Sequence, residues 1–340
     1  MKKIRIGFVG FANGHQNIWF KVFQENEQVE AVAISDRPDF GGRRLARKMG
    51  VAYHDDYRKL MSRTDIDAVV ICSETSRHAE QVETACLFKK HILFDKPFAD
   101  TLIAAERILR AVQKSGVKFM MGFLTRLQPP VVRAREAISG GQLGKVKKIL
   151  CTGEFGRSPS ISVPWMHTNS LSGGGALMNF GVHGLDIIRY LTGAEVAEIF
   201  VELSNRIYPE YKIEDNAIAT MGLTNGAKAA LICGWGKPVG KYHHPYDFRV
   251  EILGEKGELK IDLQAEHLEI CSEAKPYDRT TWLDGEDIYD VWRRSAQKFI
   301  DYLEGKEEIF CGVMDGYRSA ELVVAGYRSA GTGKPIRLPL

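Results

Sequence analysis

The chain has 340 residues, 44% of them hydrophobic and 26% charged, with a formal net charge of +3, which predicts a globular protein of two domains. Lysine and arginine are scattered, so no nucleic-acid partner is expected, and no apolar run is long enough to span a bilayer. The six cysteines include no CxxC pair and no signal peptide precedes the first strand, so we expect buried free thiols and a cytoplasmic protein.

The first predicted elements are a strand at residues 3–9, a helix at 16–24 and a strand at 29–35. In the turn after the first strand, Ala12 and His15 replace the second and third glycines of the GxGxxG fingerprint. The turn still joins a strand to a helix, so its backbone N–H groups can face a pyrophosphate. We therefore predict that Gly10, Ala12, Asn13 and Gly14 contact a dinucleotide.

Asp36 follows the second strand, 26 residues after Gly10. A carboxylate at this position can accept hydrogen bonds from both hydroxyls of a ribose. It favours NAD over NADP because a 2′-phosphate would meet its negative charge, although the adjacent Arg37 could reduce this preference. The alternative is a plain turn over residues 36–39.

The alternation of patterns continues with strands at 67–72, 92–94 and 117–121 and helices at 77–88 and 103–114. It predicts a parallel, doubly wound α/β sheet, whose ligands bind outside the carboxyl ends of the strands. Ser73-Glu74 and Asp95-Lys96-Pro97 follow two of these strands. Pro97 restricts the backbone conformation of Lys96, and the bond between them is of the only type in which cis peptides are common. The alternative for Lys96 is an exposed lysine in a surface turn.

A glycine run, Gly173 to Gly175, leads into a helical pattern. At 100° per residue, Asn179, His183, Asp186 and Tyr190 share one stripe of this helix, and the opposite stripe is apolar. Because the polar stripe lacks lysine and glutamate, we predict that it lines a polar pocket. A solvated or hydrogen-bonded surface face remains the alternative.

Several motifs follow one another along the chain. They are the Gly-rich turn, Asp36, Tyr53-His54-Asp55-Asp56-Tyr57, Asp67-Ala68-Val69-Val70-Ile71, His78, Phe94-Asp95-Lys96-Pro97, Arg126 with Pro129, the three glycines and their helix, Ile252-Leu253-Gly254-Glu255-Lys256-Gly257 and Ala330-Gly331-Thr332-Gly333-Lys334. In this order and spacing they resemble the Gfo/Idh/MocA oxidoreductases, such as glucose–fructose oxidoreductase and inositol dehydrogenase. The resemblance covers essentially the whole chain, although the family usually has Glu-Lys-Pro where this sequence has Asp95-Lys96-Pro97.

The resemblance implies a Rossmann domain at residues 1–122 and, at residues 123–340, an α/β domain for substrate binding and oligomerisation with a large, mostly antiparallel open sheet. The sequence agrees: strands are predicted at 146–155, 195–205, 216–223, 227–234, 248–253 and 258–263, and helices at 292–303 and 313–329. Residues 224–226 and 254–257 indicate hairpin turns. By analogy with the family, a homodimer or homotetramer is expected.

The resemblance also implies the catalytic group. The family's catalytic lysine and its Asp-x-x-x-His pair match Lys96, Asn179 and His183. Asn179 stands where most sugar and inositol dehydrogenases have aspartate, and an amide cannot take a proton. The implied activity is an NAD(P)-dependent oxidoreductase acting on a secondary alcohol or ketone of a sugar, polyol or inositol. In this mechanism His183 accepts the hydroxyl proton, while Lys96 orients the hydroxyl.

The predicted site has two parts. The residues expected to bind NAD, with NADP as a possibility, are Gly10, Ala12, Asn13, Gly14, Asp36, Arg37, Ser73, Glu74, His78, Asp95 and Lys96. The residues expected to bind substrate are Lys96, Arg126, Trp165, Asn179, His183 and Asp186, with His167 as a further candidate.

Tyr242-His243-His244-Pro245-Tyr246 is expected to rim the pocket or an interface. No metal site is expected there, because adjacent residues of a strand point to opposite faces. Two rival functions remain open. The protein could be a glycoside hydrolase or epimerase that retains NAD, or a non-catalytic sensor of sugar or dinucleotide.

Overall fold

The computed structural model describes residues 3–37, 40–156, 163–237, 246–273, 276, 278–281 and 289–340. The chain forms two compact units. The first unit contains Met1–Leu124, Ser170–Gly173 and Asp287–Ala320, and the second contains Thr125–Asn169, Gly174–Glu286 and Glu321–Leu340. The units therefore interleave along the chain, and the expected domain boundary at residue 122 stays a prediction.

The secondary structure follows the predicted alternation. The helices are α1 (His15–Gln24), α2 (Gly42–Met49), α3 (Tyr57–Met61), α4 (His78–Leu87), α5 (Leu102–Ser115), α6 (Pro129–Ser139), α7 (Asn169–Ser172), α8 (Val182–Thr192), α9 (Asp290–Leu303) and α10 (Val313–Thr332). The strands are β1 (Ile4–Val9), β2 (Val29–Ser35), β3 (Ala52–His54), β4 (Ala68–Ile71), β5 (His91–Phe94), β6 (Phe119–Met121), β7 (Val146–Gly156), β8 (Val196–Ser204), β9 (Asn216–Leu223), β10 (Lys228–Lys237), β11 (Tyr246–Gly254), β12 (Gly257–Asp262), β13 (His267–Ser272), β14 (Asp278–Thr281) and β15 (Ile336–Arg337).

The first unit contains a sheet of six parallel strands in the order β3-β2-β1-β4-β5-β6. This order confirms the predicted doubly wound sheet and is the order found in dinucleotide-binding folds. The direction of winding reverses between β1 and β4, which is where such sheets bind ligands. Helix α9, from late in the chain, joins the core of this unit: Trp292 packs edge-on against Trp19 of α1 with ring centroids 4.7 Å apart.

The second unit contains a sheet of nine strands in the order β14-β13-β12-β11-β7-β10-β9-β8-β15. Every neighbouring pair is antiparallel except β7 with β10, so the predicted, mostly antiparallel sheet is confirmed. The predicted hairpin turns join β9 to β10 and β11 to β12. Gly226 in the first turn has a φ of 87°, a conformation that favours glycine.

One face of this sheet carries the helix that the glycine run precedes. The helix begins with a π-helical turn, Leu177–Gly181, and continues as α8. A Cβ at Gly184 would lie 2.5 Å from the Leu231 side chain, and one at Gly181 would lie 2.9 Å from Cys233 Sγ. A larger residue at either position would have to displace these side chains, so the two glycines favour the close approach of the helix to β10.

Five of the six cysteines are buried as expected, but Cys271 is exposed, so burial was wrong for that thiol. Its sulfur lies on the outer side of β13 and donates to the Pro276 carbonyl oxygen at 2.7 Å. In the part of the chain that the structure describes, no helix is both long and apolar enough to cross a membrane.

Candidate active site

The Gly-rich turn lies at the carboxyl edge of the first sheet, beside the loop that follows β4. Gly10 has a φ of 81°, and a Cβ there would lie 2.6–2.9 Å from Ser73. A side chain at Gly10 would therefore collide with Ser73 in the loop after β4. Gly14 faces open space, since no heavy atom lies within 4 Å of a Cβ built there. Together these glycines leave backbone at the start of α1 accessible, as a pyrophosphate would require.

Asp36 ends β2 with both carboxylate oxygens bonded to backbone. Its Oδ1 accepts from Phe11 N at 3.0 Å and its Oδ2 accepts from Gly42 N at 2.8 Å. The carboxylate thus joins the Gly-rich turn to the start of α2. Burial raises the pKa of Asp36 to about 6, against the lowering effect of backbone hydrogen bonds from Gly42, Phe11 and Arg37. Each oxygen keeps a further lone pair, so a contact with ribose hydroxyls stays a prediction.

The Arg37 side chain forms an ion pair with the loop that follows β4. Its guanidinium donates to Glu74 Oε1 at 2.8 Å, and Arg77 lies 3.8 Å from the other oxygen of Glu74. Glu74 is buried behind these two arginines. The structure therefore brings Arg37 and Glu74 together as an ion pair, and their contacts with the cofactor stay predictions.

His78 links the loops that follow β4 and β5. Its Nδ1 lies 2.9 Å from the Pro97 carbonyl oxygen, and its Nε2 lies 3.1 Å from the Ser73 carbonyl oxygen. Burial lowers the pKa of His78, although both carbonyl oxygens favour the protonated ring. Ser73 in turn donates through Oγ to Gln81 Oε1 at 2.6 Å. His78 therefore holds the two loops together, and its contact with the cofactor stays a prediction.

Lys96 follows β5 with a cis peptide bond to Pro97 and is only 7% exposed. Its backbone N donates to Asp95 Oδ1 at 2.8 Å. Burial lowers the pKa of the Lys96 ammonium, and the carboxylate of Asp95 opposes this effect. The surface-turn alternative is therefore wrong for Lys96, because its side chain lies in the interior at a strand end.

Asp95 is held at both oxygens. Its Oδ2 lies 2.8 Å from His15 Nδ1 and accepts from Cys72 Sγ at 3.1 Å. Burial opposes ionisation of Asp95, but the charges of His15 and Lys96 and the hydrogen bonds together lower its pKa to about 2. Asp95 is therefore a carboxylate across the neutral range.

In the second unit, Glu214 fixes the glycine run before the π turn. Glu214 Oε1 accepts from the backbone N–H groups of Gly175 and Leu177, each at 3.0 Å, and from the Tyr327 hydroxyl at 2.7 Å. Burial raises the pKa of Glu214. A Cβ at Gly174 would lie 1.8 Å from that hydroxyl, so the chain has room here only for glycine.

The predicted polar stripe is divided between two helix types. Asn179 lies in the π turn, while His183 is the second residue of α8. The His183 ring lies 6.0 Å from the ring of Phe180, which packs against the sheet at Gly153. A π turn inserted in an α-helix is frequent at functional sites. The structure thus presents Asn179 and His183 from one packed element.

Asp186 forms a buried ion pair with Arg126. The guanidinium is bidentate, with Nε 2.8 Å from Oδ2 and Nη2 2.5 Å from Oδ1. The side chains are 5% and 1% exposed, and the guanidinium lies over the Tyr190 ring, 4.9 Å from its centroid. The alternative of a hydrogen-bonded face therefore describes Asp186 well, and substrate contact by either residue stays a prediction.

Trp165 and His167 lie on a short 3₁₀ helix, Pro164–His167. Trp165 is buried, and the His167 ring stacks on Tyr211 with centroids 3.7 Å apart and an interplanar angle of 8°. The structure thus supplies an aromatic surface in this unit. The predicted loop at residues 242–245 lies outside the described residues, and Tyr246 begins β11.

Sequence analysis missed four residues that hold these groups: His15, Gln16, Glu214 and Tyr327. Gln16 donates from Nε2 to the carbonyl oxygens of Val9 and Val70, at 3.2 and 3.1 Å, and so ties β1 to β4. The one available signal was His15, an ionisable residue in place of a fingerprint glycine. Glu214 and Tyr327 carry no local signal.

The amino-acid sequence matches two family models. Residues 4–123 match an oxidoreductase family with an NAD-binding Rossmann fold, and residues 131–260 match the GFO/IDH/MocA C-terminal domain. The two matches fall on the parallel sheet and on the large antiparallel sheet, respectively. Sequence and fold therefore agree on both halves of the resemblance.

Relatives support the same assignment. The chain is 28% identical over 292 residues to an uncharacterized oxidoreductase, YrbE, of Bacillus subtilis (strain 168), with 83% of this chain and 81% of the relative covered. It is 28% identical over 235 residues to myo-inositol 2-dehydrogenase of Thermotoga maritima, with 68% and 67% covered. Levoglucosan dehydrogenase in complex with NADH shares the fold, with a TM-score of 0.89, 20% identity and coverage of 99% and 100%. The chain therefore belongs to the Gfo/Idh/MocA oxidoreductases, and its N-terminal part is an NAD-binding Rossmann domain.

Proposed function

We propose that the protein is an NAD-dependent dehydrogenase or reductase of a sugar, polyol or inositol, acting at a secondary alcohol or ketone. The observation that carries the proposal is Lys96, a buried lysine with a lowered pKa directly after β5 of an NAD-binding sheet. A desolvated ammonium is costly, and a lysine with a perturbed pKa at the ligand-binding edge of a sheet is a candidate functional group. Myo-inositol 2-dehydrogenase and levoglucosan dehydrogenase, among the similar proteins, are named for cyclitol and anhydrosugar substrates.

The cofactor fits the residues at the carboxyl edge of the first sheet. The backbone N–H groups of the Gly-rich turn, from Gly10 to Gly14, would bind the pyrophosphate. The carboxylate oxygens of Asp36 would also accept hydrogen bonds from the ribose hydroxyls. When bound, NAD supplies the acceptor or donor of a hydride. Asp36 supports a preference for NAD over NADP, since its negative charge opposes a 2′-phosphate.

The chain's own residues handle the proton. His183 accepts the proton of the reacting hydroxyl, or returns it to a ketone in the reverse direction. Lys96 donates a hydrogen bond to the same oxygen and stabilises the negative charge that develops on it. Asn179 holds a neighbouring hydroxyl or orients the imidazole, because its amide donates and accepts hydrogen bonds without transferring a proton.

Substrate binding is proposed for Arg126, Trp165 and Asp186 as well. Asp186 follows His183 by three residues on α8 and holds the Arg126 guanidinium in a bidentate pair. The indole face of Trp165 suits the apolar side of a sugar ring.

The test is turnover of a panel of sugars, sugar acids, inositols and anhydrosugars with NAD and NADP in parallel. Lys96→Met and His183→Ala should each lower kcat by about 10²–10⁴-fold. Lys90→Met is the matched control, since Lys90 is also 7% exposed, precedes the same strand and donates to the carbonyl oxygens of Arg63 and Ile66. Its kcat per folded molecule should stay near the wild-type value.

Several outcomes would overturn the proposal. Near-normal turnover of Lys96→Met or His183→Ala would remove their assigned roles. Consumption of substrate without net formation of NADH would indicate a hydrolase or epimerase that retains its cofactor. Binding of sugar or dinucleotide without any conversion would indicate a sensor.

We further propose a homodimer or homotetramer that forms through the outer face of the nine-stranded sheet. This face exposes Ile218, Ile232 and Leu253, together with lysines and glutamates of β7, β10, β11 and β12. Apolar side chains in register on neighbouring strands, as Ile218 and Ile232 are, form a patch that association would cover. Light scattering should show an oligomer that Ile232→Lys dissociates, and a wild-type monomer at all concentrations would exclude it.

A further inference from the structure

His15 occupies the position at which the fingerprint has its third glycine, and its ring is held in place. It is the first residue of α1, and its backbone N donates to Asn13 Oδ1 at 3.2 Å. The imidazole packs edge-on against Trp292 with centroids 5.0 Å apart, and Trp292 packs in the same way against Trp19. These contacts aim one ring nitrogen at a single partner.

That partner is Asp95, and the geometry determines which atom carries the proton. His15 Nδ1 lies 2.8 Å from Asp95 Oδ2. Asp95 is a carboxylate at neutral pH and can only accept, so His15 Nδ1 must donate. The other oxygen of the same carboxylate accepts from Lys96 N at 2.8 Å. One buried carboxylate, 2% exposed, therefore connects His15 to the backbone of Lys96.

We propose that His15 is a positioning residue that acts on Lys96 through the Asp95 carboxylate. The inference rests on the proposed role of Lys96 at the reacting hydroxyl. The hydrogen bond from His15 fixes the rotation of the carboxylate, so Oδ1 stays on the Lys96 amide and the lysine side chain leaves the strand in one direction. The same hydrogen bond draws negative charge of the Asp95 carboxylate toward His15, which weakens the attraction of that carboxylate for the Lys96 ammonium.

Asp95 and Cys72 are two ionisable groups near Lys96 in the described part of the chain. Asp95 raises the pKa of Lys96, and so does the Cys72 thiol to a smaller extent, while burial lowers it. Cys72 is itself buried, and its pKa is raised well above the usual value, so it stays a neutral thiol. A change at His15 should therefore alter the effect of the Asp95 carboxylate on the pKa of Lys96.

The first experiment measures the proton affinity of Lys96 without any substrate. Protein labelled with [ε-¹³C]lysine is titrated by NMR, and Lys96→Arg identifies the Lys96 resonance. In His15→Ala the pKa of Lys96 should rise, because the carboxylate no longer shares its charge with a donor. His15→Asn, which keeps a donor at nearly the same place as Nδ1 but carries no charge, should reverse part of this rise, and Asp95→Asn should lower the pKa of Lys96. An unchanged Lys96 titration in His15→Ala, or equal shifts in the Ala and Asn variants, would contradict the proposal.

The second experiment is a double-mutant cycle on kcat. His15→Ala and Asp95→Asn should each lower kcat by about tenfold, and the double variant should also lose about tenfold rather than about 100-fold, since both changes break one connection. KM should change much less than kcat. His91→Ala, at the opposite end of β5, is the matched control and should leave kcat unchanged. Multiplicative losses would show that His15 acts independently of Asp95.

The two readouts separate this inference from the proposed function. If Lys96→Met retains turnover, the proposed function fails, while the titration still reports whether His15 acts on Lys96. If turnover depends on Lys96 but the titration and the cycle show no coupling, His15 is not a positioning residue and the proposed function stands. Thermal unfolding of each variant confirms that the comparison is made on folded protein.

Discussion

Asp36 and Asp95 directly follow two strands at the same edge of one sheet, yet their pKa values are shifted in opposite directions. They are almost equally buried, at 4% and 2% exposed, and each accepts backbone hydrogen bonds. The hydrogen bonds described for the Asp36 carboxylate come from backbone N–H groups, and burial raises its pKa to about 6. Asp95 faces His15 and Lys96, and its pKa falls to about 2 despite burial. A nearby positive charge, more than the hydrogen-bond count, decides whether a buried carboxylate is stable as an anion.

The largest effect is expected where the same rule applies in the second unit. Asp186 is a buried carboxylate whose partner is the bidentate guanidinium of Arg126. Arg126→Met should lower the free energy of unfolding by about 3–5 kcal/mol, because it leaves Asp186 buried without its countercharge. Urea denaturation measures this loss. The double variant Arg126→Met/Asp186→Leu should recover much of it, and a double variant no more stable than the single one would argue against charge as the cause.

The next effect tests the two carboxylates directly through the pH dependence of stability. The folded pKa of Asp36 lies above 3.8, so its contribution is present below about pH 4 and is lost as pH rises through about 6. Compared with Asp36→Asn, the wild type should lose about 3 kcal/mol over this range. Urea midpoints between pH 4 and pH 7 measure the difference.

Asp95 should show the opposite slope. Its folded pKa lies below 3.8, so its contribution is present above about pH 4 and is lost as pH falls toward 2. The wild type should exceed Asp95→Asn by about 2 kcal/mol at pH 7, and the advantage should vanish near pH 2. Parallel slopes for the Asp36 and Asp95 variants would refute the distinction between them.

The sequence predicted the framework of both sites but not the pairs within them. Periodicity and chain order located β1, β2 and β5, and therefore placed Gly10, Asp36 and Lys96 at one edge of the sheet. The His15–Asp95 pair joins residues 80 positions apart, and Glu214 lies 39 positions from Gly175. Such pairs are set by how elements pack, and no local pattern records them. The bond from Arg37 to Glu74 likewise joins residues 37 positions apart, and whether Arg37 reduces the preference for NAD stays a prediction.

A smaller effect is expected on the choice of cofactor. If Asp36 accepts from ribose hydroxyls, only its ionised form repels a 2′-phosphate, so the preference for NAD over NADP should grow as pH rises through about 6. The affinity ratio should change by about tenfold, on the order of 1 kcal/mol. A 2′-phosphate itself titrates near this pH. Calorimetric titrations of the wild type and Asp36→Asn at pH 5 and pH 7.5 isolate the contribution of the carboxylate, which an equal change in both proteins would exclude.

The smallest effect concerns Arg37, which is beside Asp36 in the chain but paired elsewhere. Its guanidinium is half exposed and bonds to Glu74, which also has Arg77 at 3.8 Å. Arg37→Ala should therefore cost less than about 1 kcal/mol in the free energy of unfolding, because the Arg37 guanidinium is half exposed and Arg77 still faces the buried Glu74 carboxylate. The pH at which Asp36 titrates should stay where it is, because backbone donors and burial set it. Arg37→Lys controls for charge, and a lower stability-versus-pH midpoint in the wild type than in Arg37→Ala would show that Arg37 acts on Asp36 after all.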